Sequence, residues 1–185
     1  SGKTKLGNAT FHCWKRGGHG ITNLKKGISQ SCDAYFYEIA KRTGIERIAE
    51  MARRLGLGAR LGMDLPGEVP GLIPSNEWKK AVVGVAWQQG ETLLAGIGQG
   101  YVLTTPLQLA VMTARLVNGG VAVIPRLTRG VISREGIVSR TDEGNKDIGL
   151  IPAHLALVRD AMNTAVNVPG GTAFRSRIKK PEFRM

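Results

Sequence analysis

Glycine constrains this chain more than any other residue type, occupying 25 of its 185 positions. A glycine costs a helix interior roughly 0.5–1 kcal/mol relative to alanine, yet it readily takes the left-handed conformation that ends a helix. Placed repeatedly behind short apolar runs, it predicts many short helices joined by turns. Asn23 caps a short helix through Ser29, and from Asp33 the run 34–40 has apolar residues at helical spacing until Thr43-Gly44 stops it. Ile45, Ile48, Ala49, Ala52 and Leu55 mark an amphipathic helix that Gly56 and Gly58 end. Ser75 caps a short helix carrying Glu77, Trp78 and Lys79. Thr105-Pro106 is a cap followed by proline at the first helical position, and Asn118-Gly119-Gly120 closes that helix. Ile151-Pro152 opens the last helix, which runs to about Val166.

The intervening segments predict less regular structure. Residues 1–22 read as a glycine-rich loop or irregular arm, and residues 59–74, with Pro66, Pro70 and Pro74, as an extended loop. Val121 to Leu127 reads as a strand broken by Pro125, and 128–149 alternates charge with turn formers. The expected organisation is an arm (1–22), a helical core (23–120), a strand and loop (121–149) and a helix with a basic tail (150–185). It is mostly α, with two or three short strands and a length that suits one domain.

Charge narrows the classes of partner. Lys and Arg total 26 against 14 Asp and Glu, a formal charge of +12 with a pI near 10.2. The basic residues are dispersed, except for five between Arg175 and Arg184 with Glu182 among them. Neither an aromatic platform, a recognition helix nor a zinc-finger repeat accompanies them, which argues against sequence-specific nucleic-acid binding. A basic solvated face, or one drawn to an anionic surface, fits better. No run of about 20 apolar residues spans a bilayer, and no signal peptide is expected from the opening residues.

Four constellations could carry chemistry. In Ser31-Cys32-Asp33, a hydroxyl and a carboxylate two residues apart can share a cleft, the serine relaying a proton and the aspartate accepting or orienting a hydrogen bond. Alternatively, one of them simply caps the following helix. Gly98-Gln99-Gly100 either exposes N–H groups to an anion or makes a tight turn, and it lacks the lysine of a phosphate loop. Cys13, His19 and Cys32, with a fourth ligand left to adjacent His12, to water or to a missing segment, allow a structural metal site, free buried thiols or a disulfide. Ser176-Arg177-Ile178-Lys179 formally matches S-x-x-K, but lies in the basic tail beyond the last helix and reads as accidental. No K-T-G, G-x-S-x-G or HExxH occurs.

Taken in order, these segments resemble class B penicillin-binding proteins, on the branch serving bacterial cell elongation. The resemblance rests on Trp14-Lys15-Arg16-Gly17-Gly18-His19-Gly20, Ser31-Cys32-Asp33-Ala34-Tyr35-Phe36-Tyr37, Gly44-Ile45 and Met63-Asp64-Leu65-Pro66-Gly67-Glu68. It continues through Pro74-Ser75, Gly96 to Gly100, Thr104 to Gln108, Asn118-Gly119-Gly120 and Pro169-Gly170-Gly171-Thr172-Ala173. It implies the helical subdomain of a penicillin-binding transpeptidase or serine β-lactamase-like fold, within an α+β parent. Ser31 would be the proton-relay serine of the second signature, S-x-N, and Asp33 would take its asparagine position. Gly98 and Gly100 would have a scaffold role. The nucleophilic S-x-x-K is expected upstream of this chain and K-T-G downstream, so the segment alone is expected to be inactive. The implied parent cross-links peptidoglycan stem peptides through a serine acyl-enzyme and binds β-lactams. It sits at the periplasmic face of the inner membrane through an N-terminal anchor, beside other elongation-complex membrane proteins. No catalytic cofactor is implied; a zinc at Cys13, His19 and Cys32 would be structural. The competing readings are a non-catalytic interaction module and a zinc-stabilised basic module that binds nucleic acid.

Overall fold

A computed structural model describes residues 2–63, 66–128, 130–133, 136–139 and 146–180. Asp64 and Leu65 of the Met63–Glu68 motif, Arg129, and Glu182 and Arg184 of the tail lie outside the described residues.

The expected arm begins instead as an antiparallel hairpin, β1 (Lys3–Leu6) with β2 (Ala9–His12), in which Lys3 faces His12 and Leu6 faces Ala9. Only two residues, Gly7 and Asn8, connect the strands, the tightest of hairpin links. Four-residue strands carrying two lysines show too little alternation for a sequence pattern to reveal them. Packing supplies the missing information: Phe11 meets the Tyr37 ring edge to face, with centroids 5.6 Å apart.

The capped helices follow as their signals predict. Asn23 accepts from the Lys26 N–H at the start of α1 (Leu24–Ser29). Next comes α2 (Asp33–Thr43), whose following residue, Gly44, donates its N–H to the Ala40 carbonyl and also precedes α3 (Ile45–Arg54). Ser75 caps α4 (Asn76–Val82) through the Trp78 N–H. One helix escapes the sequence pattern, α5 (Gln89–Ala95), because Gly90 and Gly96 bracket it and obscure its periodicity. A capping box starts it, with the Gln88 N–H donating to Glu91 Oε2 at 2.7 Å. Thr105 and Gln108 form the corresponding box on α6 (Pro106–Val117).

The strand expected over Val121–Leu127 does not form. Only Val121 makes a bridge, with Asp147, and Pro125 has no N–H to extend a ladder. The hairpin lies further on, β3 (Gly130–Ser133) with β4 (Gly136–Ser139), inside the segment that sequence pattern assigns to turns. The last helix, α7 (Pro152–Asn167), ends in a turn and a 3-10 segment at Phe174–Ser176. Ser176 closes that segment and Arg177 is extended, so Lys179 is not one helical turn beyond Ser176.

Ala49, Leu57 and Ile73 form a buried cluster covered by Ala52, Val102 and Met112. Leu93 of α5, fully buried, belongs to the helix packed on α2. At full burial that side chain contributes about 1.5–3 kcal/mol. The helices approach so closely that a Cβ on Gly96 would sit 2.4 Å from the Ala40 Cβ. Beneath Glu91 lies Lys79, 3% exposed, with its Nζ 2.5 and 2.6 Å from the two carboxylate oxygens. This ion pair ties α4 to α5.

Candidate functional site

The corner between α1 and α2 gathers the chemically capable residues. α1 can lie against α2 because Gly27 leaves room: a Cβ there would meet Tyr35 Cδ1 at 2.6 Å. The chain then turns through Ser31, whose φ of +50° makes it the sole described non-glycine residue in the left-handed region. Such a conformation costs an L-residue roughly 1–2 kcal/mol, so neighbouring groups must hold it. The Trp14 indole N–H donates to the Ser31 carbonyl at 2.8 Å and to the Gln30 carbonyl at 3.2 Å. The Ser31 N–H donates to the Ile28 carbonyl at 3.2 Å.

Neither side chain of the Ser-x-Asp pair caps α2. Cys32 occupies the cap position and makes no side-chain capping bond. Asp33 instead accepts the Trp14 backbone N–H on Oδ2 at 2.9 Å, and Ser31 Oγ lies 2.8 Å from Thr172 Oγ1. The helix-cap alternative therefore fails. Both residues line a cleft of about 280 Å³ with Ile28, Phe36, Gly96 and Ile97. This juxtaposition gives a hydroxyl able to donate and accept, beside a carboxylate that accepts.

Cys32, between Ser31 and Asp33 in the chain, joins Cys13 and His19; all three are buried, and their ligand atoms lie within 4.8 Å of one another. Cys13 Sγ is 3.5 Å from His19 Nδ1. Bond lengths of about 2.3 Å to sulfur and 2.0–2.1 Å to nitrogen give a tetrahedral S–N edge of about 3.5 Å, so the pair fits zinc. His19 Nε2 is buried without a hydrogen-bond partner. Burial foremost, then Lys15 and Lys26, lowers the His19 pKa, with Asp33 opposing. Burial foremost raises the Cys32 thiol pKa, with Cys13 adding to it and the Tyr35 N–H opposing. Both directions favour the neutral forms, so a metal must displace a thiol proton on binding. The two cysteines are free thiols, and His12 remains exposed at the end of β2, outside the cluster. Lys26 Nζ secures the loop by donating to the His19 and Ile21 carbonyls at 2.6 and 3.1 Å.

Gly98 and Gly100 lie in the turn after α5, adjoining the cleft through Ile97. The Gly98 and Gln99 N–H groups donate to the Ala95 and Leu94 carbonyls, each at 3.0 Å. Those two amides are therefore committed to ending a helix and are not free to cradle an anion. Two site residues escaped sequence reasoning, Trp14 and Thr172. Each falls within a recognised motif segment, but their roles depend on contacts 17–19 and 141 residues away in the chain.

Comparison with known proteins adds an independent line. A family model described as the penicillin binding protein transpeptidase domain matches residues 1–184. The peptidoglycan D,D-transpeptidase MrdA of Salmonella typhimurium is 38% identical over 167 residues, covering 89% of this chain and 27% of that protein. MrdA of Acinetobacter baumannii is 45% identical over 119 residues, 64% of this chain and 18% of that one. Among solved structures, Pseudomonas aeruginosa PBP2 in complex with WCK 5153 superimposes with a TM-score of 0.84 at 38% identity, covering 94% of this chain and 38% of that one. PBP2 of Helicobacter pylori in complex with MreC gives 0.82 at 32%, covering 95% and 31%. The chain thus spans about a quarter of the length of the curated relatives it matches.

Proposed function

Because the chain belongs to the penicillin-binding protein transpeptidase domain family, we propose that it forms part of a peptidoglycan D,D-transpeptidase and supplies the second signature of its active site. The carrying observation is the cleft that brings Ser31 and Asp33 together beside Ile97. In the proposed reaction, a serine outside this chain's own signature attacks the penultimate D-alanyl carbonyl of a stem peptide. The C–N bond breaks and D-alanine leaves with a proton. An amine of a neighbouring strand then takes the acyl group, releasing the serine and forming the cross-link. Water in the amine's place gives carboxypeptidase hydrolysis. Such two-step acyl transfer requires protons to move between nucleophile and leaving group. Ser31 relays a proton, and Asp33 orients the peptide amide while remaining bonded to Trp14.

A β-lactam is the natural probe, since it acylates the same nucleophile. The setting proposed is the periplasmic face of the inner membrane, with stem peptides as substrates and elongation-complex membrane proteins as partners. The full-length protein is expected to form a covalent adduct with a fluorescent penicillin, and Ser31→Ala to slow its formation by about 10²-fold. A full-length wild-type protein that takes no label would overturn the reading.

The fit of Cys13, His19 and Cys32 supports a further reading of that cluster as a structural zinc site that joins the loop before α1 to the start of α2. When bound, zinc would supply cross-linking rather than chemistry. Metal analysis of the purified full-length protein is expected to find one zinc, lost in Cys32→Ala; absence of zinc from the wild type after zinc incubation would remove this reading.

A further inference from the structure

We propose that Thr172 is the positioning residue for the Ser31 hydroxyl, and that its own hydroxyl exchanges donor and acceptor roles with Ser31 during acylation. This rests on the transpeptidase reading above.

The observation is the 2.8 Å separation of Ser31 Oγ from Thr172 Oγ1, in which either oxygen can be the donor. A serine that relays a proton must accept at one moment and donate at another. A hydroxyl partner can follow that reversal, because it carries one proton and two lone pairs and rotates freely about its C–O bond. A carboxylate or an ammonium could satisfy only one of the two states.

Thr172 is also presented from a fixed support. The Gly171 N–H donates to the Val168 carbonyl at 3.0 Å, and the Ala173 N–H to the Ala165 carbonyl at 3.1 Å, which folds the loop back onto α7. The Thr172 N–H reaches the Ser29 carbonyl at 3.0 Å, and α7 packs along α1. Opposite it, Ser31 is held in its left-handed turn by the Trp14 indole. Both oxygens are thus set by backbone contacts that do not involve the Thr172 side chain. That separation of roles makes the hydroxyl testable, since removing it leaves the main-chain anchor intact.

The experiment measures acylation of the full-length protein by a fluorescent penicillin, resolving the saturating acylation rate from the half-saturating concentration. Thr172→Val and Thr172→Ala are each expected to lower the saturating rate about tenfold, as the loss of one hydrogen bond in the transition state predicts. The half-saturating concentration and the melting temperature are expected to stay unchanged. Thr172→Ser, which keeps the hydroxyl, is expected to retain the wild-type rate. Having two hydroxyl-deleting variants keeps the comparison available if one of them does not fold. Wild-type rates in the Val and Ala variants would overturn the inference, as would a Ser variant as slow as Val. A wild-type protein that does not react overturns the transpeptidase reading and this inference with it, an outcome distinct from reacting wild type with indifferent variants.

Discussion

Replacing Gly96 with alanine tests the packing that shapes the cleft. Its Cβ would lie 2.4 Å from the Ala40 Cβ, 3.3 Å from the Leu93 carbonyl oxygen and 3.4 Å from the Phe36 carbonyl oxygen. Carbon atoms in contact prefer about 3.5–4.0 Å, so α2 and α5 must separate by roughly 1 Å. Gly96 has an ordinary helical φ of −64°, so the penalty comes from space and not from backbone strain. Overpacking of this kind costs about 1–3 kcal/mol. Ala40→Gly removes the opposing methyl and should itself cost about 1 kcal/mol, chiefly as glycine inside a helix. In the double variant the clash is absent, so its destabilisation should fall short of the sum of the singles by about 1–2 kcal/mol. Urea unfolding at fixed pH, followed by far-UV circular dichroism, measures all four corners of the cycle. Full additivity, or Gly96→Ala as stable as wild type, would refute the reasoning. The same movement displaces Ile97 relative to Ser31 and Asp33, so Gly96→Ala should also slow β-lactam acylation in the full-length protein.

Three other measurements reach different parts of the structure. Glu91→Gln preserves side-chain size but strands the buried Lys79 ammonium, and urea unfolding should show a loss of about 3–5 kcal/mol; a change below about 1 kcal/mol would contradict the buried pair. Trp14→Phe keeps an aromatic ring near His19, where centroids are 5.4 Å apart, but deletes the donor to the Ser31 carbonyl. It should cost about 0.5–1.5 kcal/mol and accelerate amide hydrogen exchange at Ser31 and Cys32, and unchanged exchange would contradict the clamp. Burial first, then Asp33 and Cys13, raises the Tyr37 phenol above its ordinary pKa of 10.0. The unfolded state therefore loses that proton first, and stability should fall as pH rises above about 10, less steeply in Tyr37→Phe. Matching slopes for the two proteins would rule out Tyr37 as the source.

The features legible in the sequence were those whose cause is local. Asn23, Ser75 and Thr105-Pro106 satisfy N–H groups within three residues of themselves, so the starts of their helices can be located from local sequence alone. The hairpin at 3–12 and the helix at 89–95 depend on partners further away, Tyr37 for the first and the buried face of α2 for the second. The strand expected near Val121 stops at a single bridge to Asp147, and Pro125 has no N–H to carry a ladder further. Residue type and spacing single out Ser31, Asp33, Cys13, His19 and Cys32, and the structure gathers them at one corner. What residue types could not supply was the choice between a capping and a cleft-lining Ser31, which rests on a left-handed turn and on the Trp14 clamp.

The hydroxyl pair also gives the site a history. Ser31 and Thr172 are 141 residues apart. At a synthesis rate of about 5–20 residues per second, roughly 7–28 s pass between the appearance of one and the other. Of the two side chains that meet the Ser31 corner, Trp14 is already made when that interval opens. Only when α7 docks on α1 does the second hydroxyl arrive. The Ser31–Thr172 contact therefore cannot form until residue 172 has been synthesised and the turn after α7 has reached α1.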